Sequence, residues 1–121
     1  MKRLNNYMNF SDARGDILGI VQHGTWQEMN YITTKAHVLC GNHYHKETYE
    51  LIFVVKGKIK LTVRDIVKGN SNETFFFNVG EAFILEPMEN HTIETLEDSA
   101  WINLLSRAMN DKNGKDIFTT Q

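Results

Sequence analysis

Cysteine and proline occur once each in the 121 residues, as Cys40 and Pro87. With one thiol, no internal disulfide can form and no cysteine-based zinc cluster can be built. A reducing cytoplasmic location is the expectation. Neither sign of charge is in marked excess: 13 basic against 15 acidic side chains give a formal charge of -2. General attraction to nucleic-acid backbones or anionic membranes is therefore not expected. No apolar run approaches the roughly 20 residues that span a bilayer, and the polar stretch after Lys2 and Arg3 lacks the apolar segment of a secretory leader. Also missing are a phosphate-cradling glycine loop, a dinucleotide fingerprint, a Gly-x-Ser-x-Gly elbow and a His-Glu-x-x-His helix. Nicotinamide-dependent and nucleotide-hydrolysing enzymes are thereby disfavoured.

What the chain has is a series of short segments rich in Val, Ile, Phe, Tyr and Thr, broken by Gly, Asn and Asp. This predicts an all-β domain with strands near Ile17–Gln22, Trp26–Thr33, Ala36–Cys40, Tyr49–Val55, Lys58–Val67, Thr74–Asn78, Ala82–Leu85, His91–Leu96 and Ala100–Ser106. Lys58 to Arg64 alternates polar with apolar, as a strand with one wet face must. The Lys56-Gly57-Lys58 turn predicts that this strand pairs as a hairpin with the apolar run Leu51–Val55. No stretch has convincing helical periodicity, and the nearest candidate, Leu104–Asn110, is short. The length fits one domain, residues 1–121, with a core of about 10–107 and a polar tail 108–121 whose Ile117 and Phe118 can dock on the domain or on a partner subunit.

Chemistry concentrates at His43-Tyr44-His45. If this segment is extended, both imidazoles project to one face. A turn through Lys46-Glu47-Thr48 brings the Glu50 carboxylate back to the same place, and His91, beyond Pro87, can supply a fourth ligand from another strand. Three imidazoles and one carboxylate suit zinc, iron, manganese, nickel or cobalt, and leave room for water or substrate.

These residues resemble the first cupin motif: Gly41-Asn42-His43-Tyr44-His45-Lys46-Glu47-Thr48-Tyr49-Glu50, then six residues and Gly57. Gly80-Glu81-Ala82-Phe83-Ile84-Leu85-Glu86-Pro87-Met88-Glu89-Asn90-His91 is similar to the second. The departures are His37, where the first motif usually has glycine, and Pro87, one residue later than in the usual Pro-x-Gly-x-x-His, with no glycine before His91. A shifted loop ahead of His91 is therefore expected. The resemblance implies a jelly-roll β-barrel with a divalent metal on His43, His45, Glu50 and His91, and commonly a homodimer.

A narrower resemblance begins at Phe10-Ser11-Asp12-Ala13-Arg14-Gly15-Asp16-Ile17, which looks like the Asp-x-Arg-Gly opening of cupins acting on nucleotide-linked deoxysugars. The Gly-Asn-His-Tyr-His run is similar to that of capsular-polysaccharide cupins, which hold a metal. Sugar ketoisomerases of this group usually lack the glutamate that Glu50 supplies and need no metal. In a metal-free site His43 and His45 would be the catalytic pair. The resemblance thus implies a metal-dependent isomerase or epimerase of a carbonyl-bearing, nucleotide-linked sugar in surface-glycan synthesis. Alternatives are a non-enzymatic sugar-binding module and an iron-dependent dioxygenase. Arg14 and His37 are candidate substrate contacts, Arg14 through its planar guanidinium on a diphosphate.

Overall fold

The computed structural model describes residues 1–110 and 114–120, and among these no helix occurs. Eleven strands form: β1 (Lys2–Arg3), β2 (Met8–Asp12), β3 (Gly15–Gly19), β4 (Glu28–Thr34), β5 (Leu39–His43), β6 (Glu50–Lys56), β7 (Lys58–Asp65), β8 (Glu73–Asn78), β9 (Ala82–Leu85), β10 (Glu89–Thr95) and β11 (Ser99–Leu105). A five-stranded antiparallel sheet runs β1-β9-β6-β11-β4, a four-stranded one runs β5-β10-β7-β8, and β2-β3 form a separate hairpin.

The core lies between the two larger sheets. On β6 the inward row is Glu50, Ile52, Val54; on β10 it is His91, Ile93, Thr95; on β11 it is Trp101, Asn103, Leu105. Each row follows the period of two that a pleated strand imposes. Phe77 and Phe83 meet across the sheets with ring centroids 4.2 Å apart. Each such fully buried side chain contributes about 1.5–3 kcal/mol of transfer free energy.

The jelly-roll fold follows the expected plan, but the sheets do not close into a barrel. Between β4 and β5 no ladder forms; the connecting turn is tied instead to Thr95 of β10 and to Asp98. Ala36 N–H donates to Asp98 Oδ1 (2.9 Å) and Val38 N–H to Thr95 Oγ1 (2.9 Å).

The expected β6–β7 hairpin is replaced by a corner. β6 pairs with β9 and β11, whereas β7 pairs with β8 and β10, so Gly57 carries the chain from one sheet to the other. Gly57 has φ +83°, and a Cβ there would lie 2.3 Å from Ser99 Oγ and 2.5 Å from the Asp98 carbonyl oxygen. Only glycine fits such a corner. As expected, Leu104–Asn110 forms no helix: β11 runs through Leu105, paired with β4 and, from Trp101 on, in register with β6.

Candidate metal centre and its cavity

Positioning of the first two histidines depends on an extra residue in β5. Leu39 is 70% exposed and Cys40 packs on the core, so regular alternation from here would turn Asn42 inward and His43 outward. The β5–β10 register instead passes from Thr92↔Gly41 to His91↔His43, leaving Asn42 without a partner. Gly41 and Asn42 take φ of 96° and 61°. This is a β-bulge, and it inverts the facing of the residues beyond it. His43 and His45 therefore both enter the interior.

The same inversion accounts for His37. A straight strand from Ala36 would have put it on the face of His43, but the strand starts at Leu39, odd-numbered residues face outward before the bulge, and His37 sits exposed in a turn with φ 62°. Its backbone N–H bonds to Thr95 O at 2.7 Å, at the far end of β10 from His91. Arg14 lies at the tip of the β2–β3 hairpin, where it pairs with Asp12 at 2.6 Å. Neither residue lines the cavity into which the histidines project.

The loop ahead of His91 turns on a residue in the left-handed region. Met88 holds the place of the motif glycine, three residues before His91, and adopts φ 69°. Its N–H donates to His45 O at 2.6 Å, tying this loop to the first motif. His91 still reaches the interior beside His43, with ring centroids 4.6 Å apart.

The potential ligand atoms of His43, His45, Glu50 and His91 all lie within 4.8 Å of one another. Ligands placed about 2.1 Å from a shared ion sit about 3–4 Å apart, so the cluster is only slightly wider than a loaded site. Glu50 Oε1 faces His45 Nε2 at 3.3 Å and His91 Nε2 at 3.6 Å, while Oε2 accepts from Asn103 Nδ2 at 3.0 Å. The remote ring nitrogens are held by backbone carbonyls: His45 Nδ1 by Asp116 at 2.5 Å and His91 Nδ1 by Glu89 at 3.1 Å. Such bonds leave each Nε2 lone pair for an ion.

The electrostatics suit this role. Burial drives the His91 pKa down to about 4, with His43 and His45 adding to the effect of burial. His43 is lowered by burial and by the neighbouring His45. Both are neutral imidazoles near neutral pH, the form that binds metal. Burial also pulls His45 down, but its hydrogen bonds to Glu50 and to the Asp116 carbonyl outweigh this and leave it raised. Burial pushes Glu50 up, yet the His45 hydrogen bond, His91 and Asn103 prevail and keep it an anion. Three imidazoles grouped around one buried carboxylate fit a divalent first-row ion.

The cluster forms the floor of a cavity of about 330 Å³, bounded by Ile32, Cys40, Ile93 and Trp101 and, on the polar side, by Glu28 and Asn103. That volume suits a small organic ligand. Asn103 Oδ1 is buried there without a hydrogen-bond partner. A larger cleft of about 510 Å³ lies by Trp26 and Tyr49, and no ligating cluster among the described residues converges on it.

Sequence reading missed two residues here. Asn103 looks like any strand asparagine until β11 is seen to face Glu50. Asp116 sits in the tail, with no local signal. Its carboxylate accepts from the N–H groups of Lys46, Glu47 and Thr48 (2.9, 2.8 and 3.0 Å) and from Thr48 Oγ1 (2.8 Å). The expected docking of Ile117 and Phe118 is on the chain's own domain: Phe118 exchanges backbone hydrogen bonds with Tyr44, and Ile117 lines the cavity.

Two antiparallel sheets enclosing three histidines and a glutamate define a cupin. Residues 10–118 match the model of the polysaccharide biosynthesis C-terminal domain family, and the chain belongs to that family. Comparison with curated proteins gave no match. Among solved structures, the capsular polysaccharide assembling protein CapF from Staphylococcus aureus is similar at 20% identity and a TM-score of 0.72, covering 94% of this chain and 34% of that one. This chain thus spans about a third of CapF. A 3,4-ketoisomerase from Helicobacter canadensis is similar at 17% identity and a TM-score of 0.79 (98% and 90% covered). So is dTDP-4-dehydrorhamnose 3,5-epimerase from Sulfolobus tokodaii, at 23% and 0.73 (88% and 70%). These likenesses concern the fold.

Proposed function

We propose that this protein is an isomerase or epimerase of a carbonyl-bearing, nucleotide-linked sugar in surface-glycan synthesis, with a divalent metal held by His43, His45, Glu50 and His91. The observation that carries this reading is the convergence of those four side chains on the floor of a small-molecule cavity. Family membership in polysaccharide biosynthesis, and a fold similar to those of a 3,4-ketoisomerase and a 3,5-epimerase, support the reaction class. The similarly folded ketoisomerase QdtA has been seen with TDP-4-keto-6-deoxyglucose.

A bound divalent ion supplies Lewis-acid polarisation of a ketone and offsets the negative charge that develops when the adjacent carbon loses a proton. The chain's own groups do the rest. Asn103, held by Glu50, presents an unpaired Oδ1 that accepts from a sugar hydroxyl. Ile32, Ile93 and Trp101 exclude water from the reacting face. Arg14 and His37 do not line the cavity, and their proposed part is contact with portions of the substrate outside it, Arg14 through its guanidinium on a diphosphate. We further propose that the molecule works as a homodimer in the cytoplasm. Support for the dimer comes from Tyr7, Phe10 and Ile17, apolar side chains exposed on or beside the β2–β3 hairpin.

The test is metal analysis of protein purified without chelator, followed by incubation with nucleotide-linked 4-keto sugars in deuterated water. A near-stoichiometric ion, lost in Glu50→Gln and His91→Gln, and deuterium incorporation next to the carbonyl are expected. Absence of the ion defeats the metal site. Absence of exchange across the panel defeats the isomerase reading in favour of sugar binding alone.

A further inference from the structure

Asp116 comes from a part of the chain 66 positions beyond Glu50, yet it touches the first motif in two ways. Its backbone carbonyl accepts from His45 Nδ1, and its carboxylate takes the four donors of the Lys46–Thr48 turn. Asp116 is 4% exposed and Thr48 is fully buried, while Lys46 and Glu47 reach the surface. The turn it clamps is the one that separates His45 from Glu50. Tyr44 and Phe118, on the adjoining residues, are joined by paired backbone hydrogen bonds of 2.9 and 3.0 Å and by stacked rings 5.7 Å apart. Lys46 Nζ lies 4.1 Å from the centroid of the Phe118 ring.

We propose that Asp116 is the positioning residue of the metal centre: its carboxylate fixes the 46–48 turn, and the carbonyl thereby held in place keeps His45 as the Nδ1–H tautomer with Nε2 aimed at the ion. The inference deepens the proposed metal site and rests on it for its consequence, but not for the tautomer. Removing the carboxylate leaves four donors without their acceptor, the buried Thr48 N–H and hydroxyl among them. One further histidine provides an internal control: His91 is oriented by Glu89, on its own strand, and not by the tail.

The test uses full-length wild type, Asp116→Ala, Asp116→Asn and Thr48→Val. In metal-free protein, imidazole nitrogen shifts by NMR report the tautomer of each histidine. Zinc affinity is read by competition with a chromogenic chelator. Expected are His45 protonated at Nδ1 in wild type, partial loss of that Nδ1 proton in Asp116→Ala with His91 unchanged, and zinc binding weakened about 10–100-fold. Asp116→Asn, which retains an oxygen for the donors at Oδ2, should recover part of both. Thr48→Val, which removes one donor of four, should shift both readouts in the same direction by a smaller factor and serves if Asp116→Ala does not fold. An unchanged His45 tautomer with zinc affinity within twofold of wild type in the Asp116 or Thr48 variants overturns the proposal. Wild type that binds no zinc but loses the His45 tautomer on substitution refutes the metal reading and leaves the role of Asp116 intact.

Discussion

His91 is the residue whose placement the sequence left most open, and burial depresses its pKa strongly. Its ordinary value of 6.5 falls to about 4 through burial. Below pH 6.5 the unfolded chain takes up a proton at this site that the folded, metal-free chain refuses, so stability declines as pH falls from 6.5 towards 4. The difference of 2.5 units corresponds to a loss on the order of 3 kcal/mol. His43, also lowered, adds to the slope; His45, raised, opposes it, since its contribution is full at low pH and lost as pH rises through its folded pKa. Glu50, lowered, gives further loss as pH falls below 4.5. Denaturant unfolding of metal-free protein at pH 7, 6, 5 and 4.5 should show the decline, and His91→Gln should flatten it. A slope unaffected by that substitution would show that His91 is not a buried neutral group.

At the scale of elements, most strand positions could be read from β-branched and aromatic runs, because core-facing rows leave a period of two in the sequence. Pairing was less legible. Lys56-Gly57-Lys58 has the composition of a hairpin turn, and only the proximity of Ser99 and Asp98 to Gly57 shows that it is a corner between sheets. The bulge at Asn42 left no mark beyond the Gly41-Asn42 pair, yet it decides that His43 faces in and separates His37 from the site. β1 and β2 were missed because two polar residues, or five exposed ones, carry no burial pattern. Replacing Gly57 by alanine combines a positive φ with backbone overlap at the Asp98 carbonyl. The cost should exceed about 3 kcal/mol, more than ordinary core overpacking. Thermal or urea unfolding checks this, and a loss below about 1 kcal/mol would mean that the corner relaxes freely. Gly69→Ala, with positive φ but open space, separates the two contributions.

At the scale of the whole molecule, the two sheets account for nearly all of the core, and the β2–β3 hairpin stands outside it. Phe10 and Ile17, paired across that hairpin, are 49% and 54% exposed, and β4, the edge of the five-stranded sheet, exposes Met29 and Tyr31 beside an unpaired ladder. An isolated two-strand hairpin is marginal in water, and apolar edges invite pairing with another chain. In the proposed homodimer a second copy would cover these surfaces. Light scattering should therefore give twice the monomer mass. Phe10→Asp with Ile17→Asp, which charges the hairpin without touching the core or the His43–His45–Glu50–His91 cluster, should shift the mass to that of one chain while zinc remains bound. A wild-type monomer, or a dimer indifferent to the double substitution, would remove the hairpin from the interface and leave the metal centre as a property of the single chain.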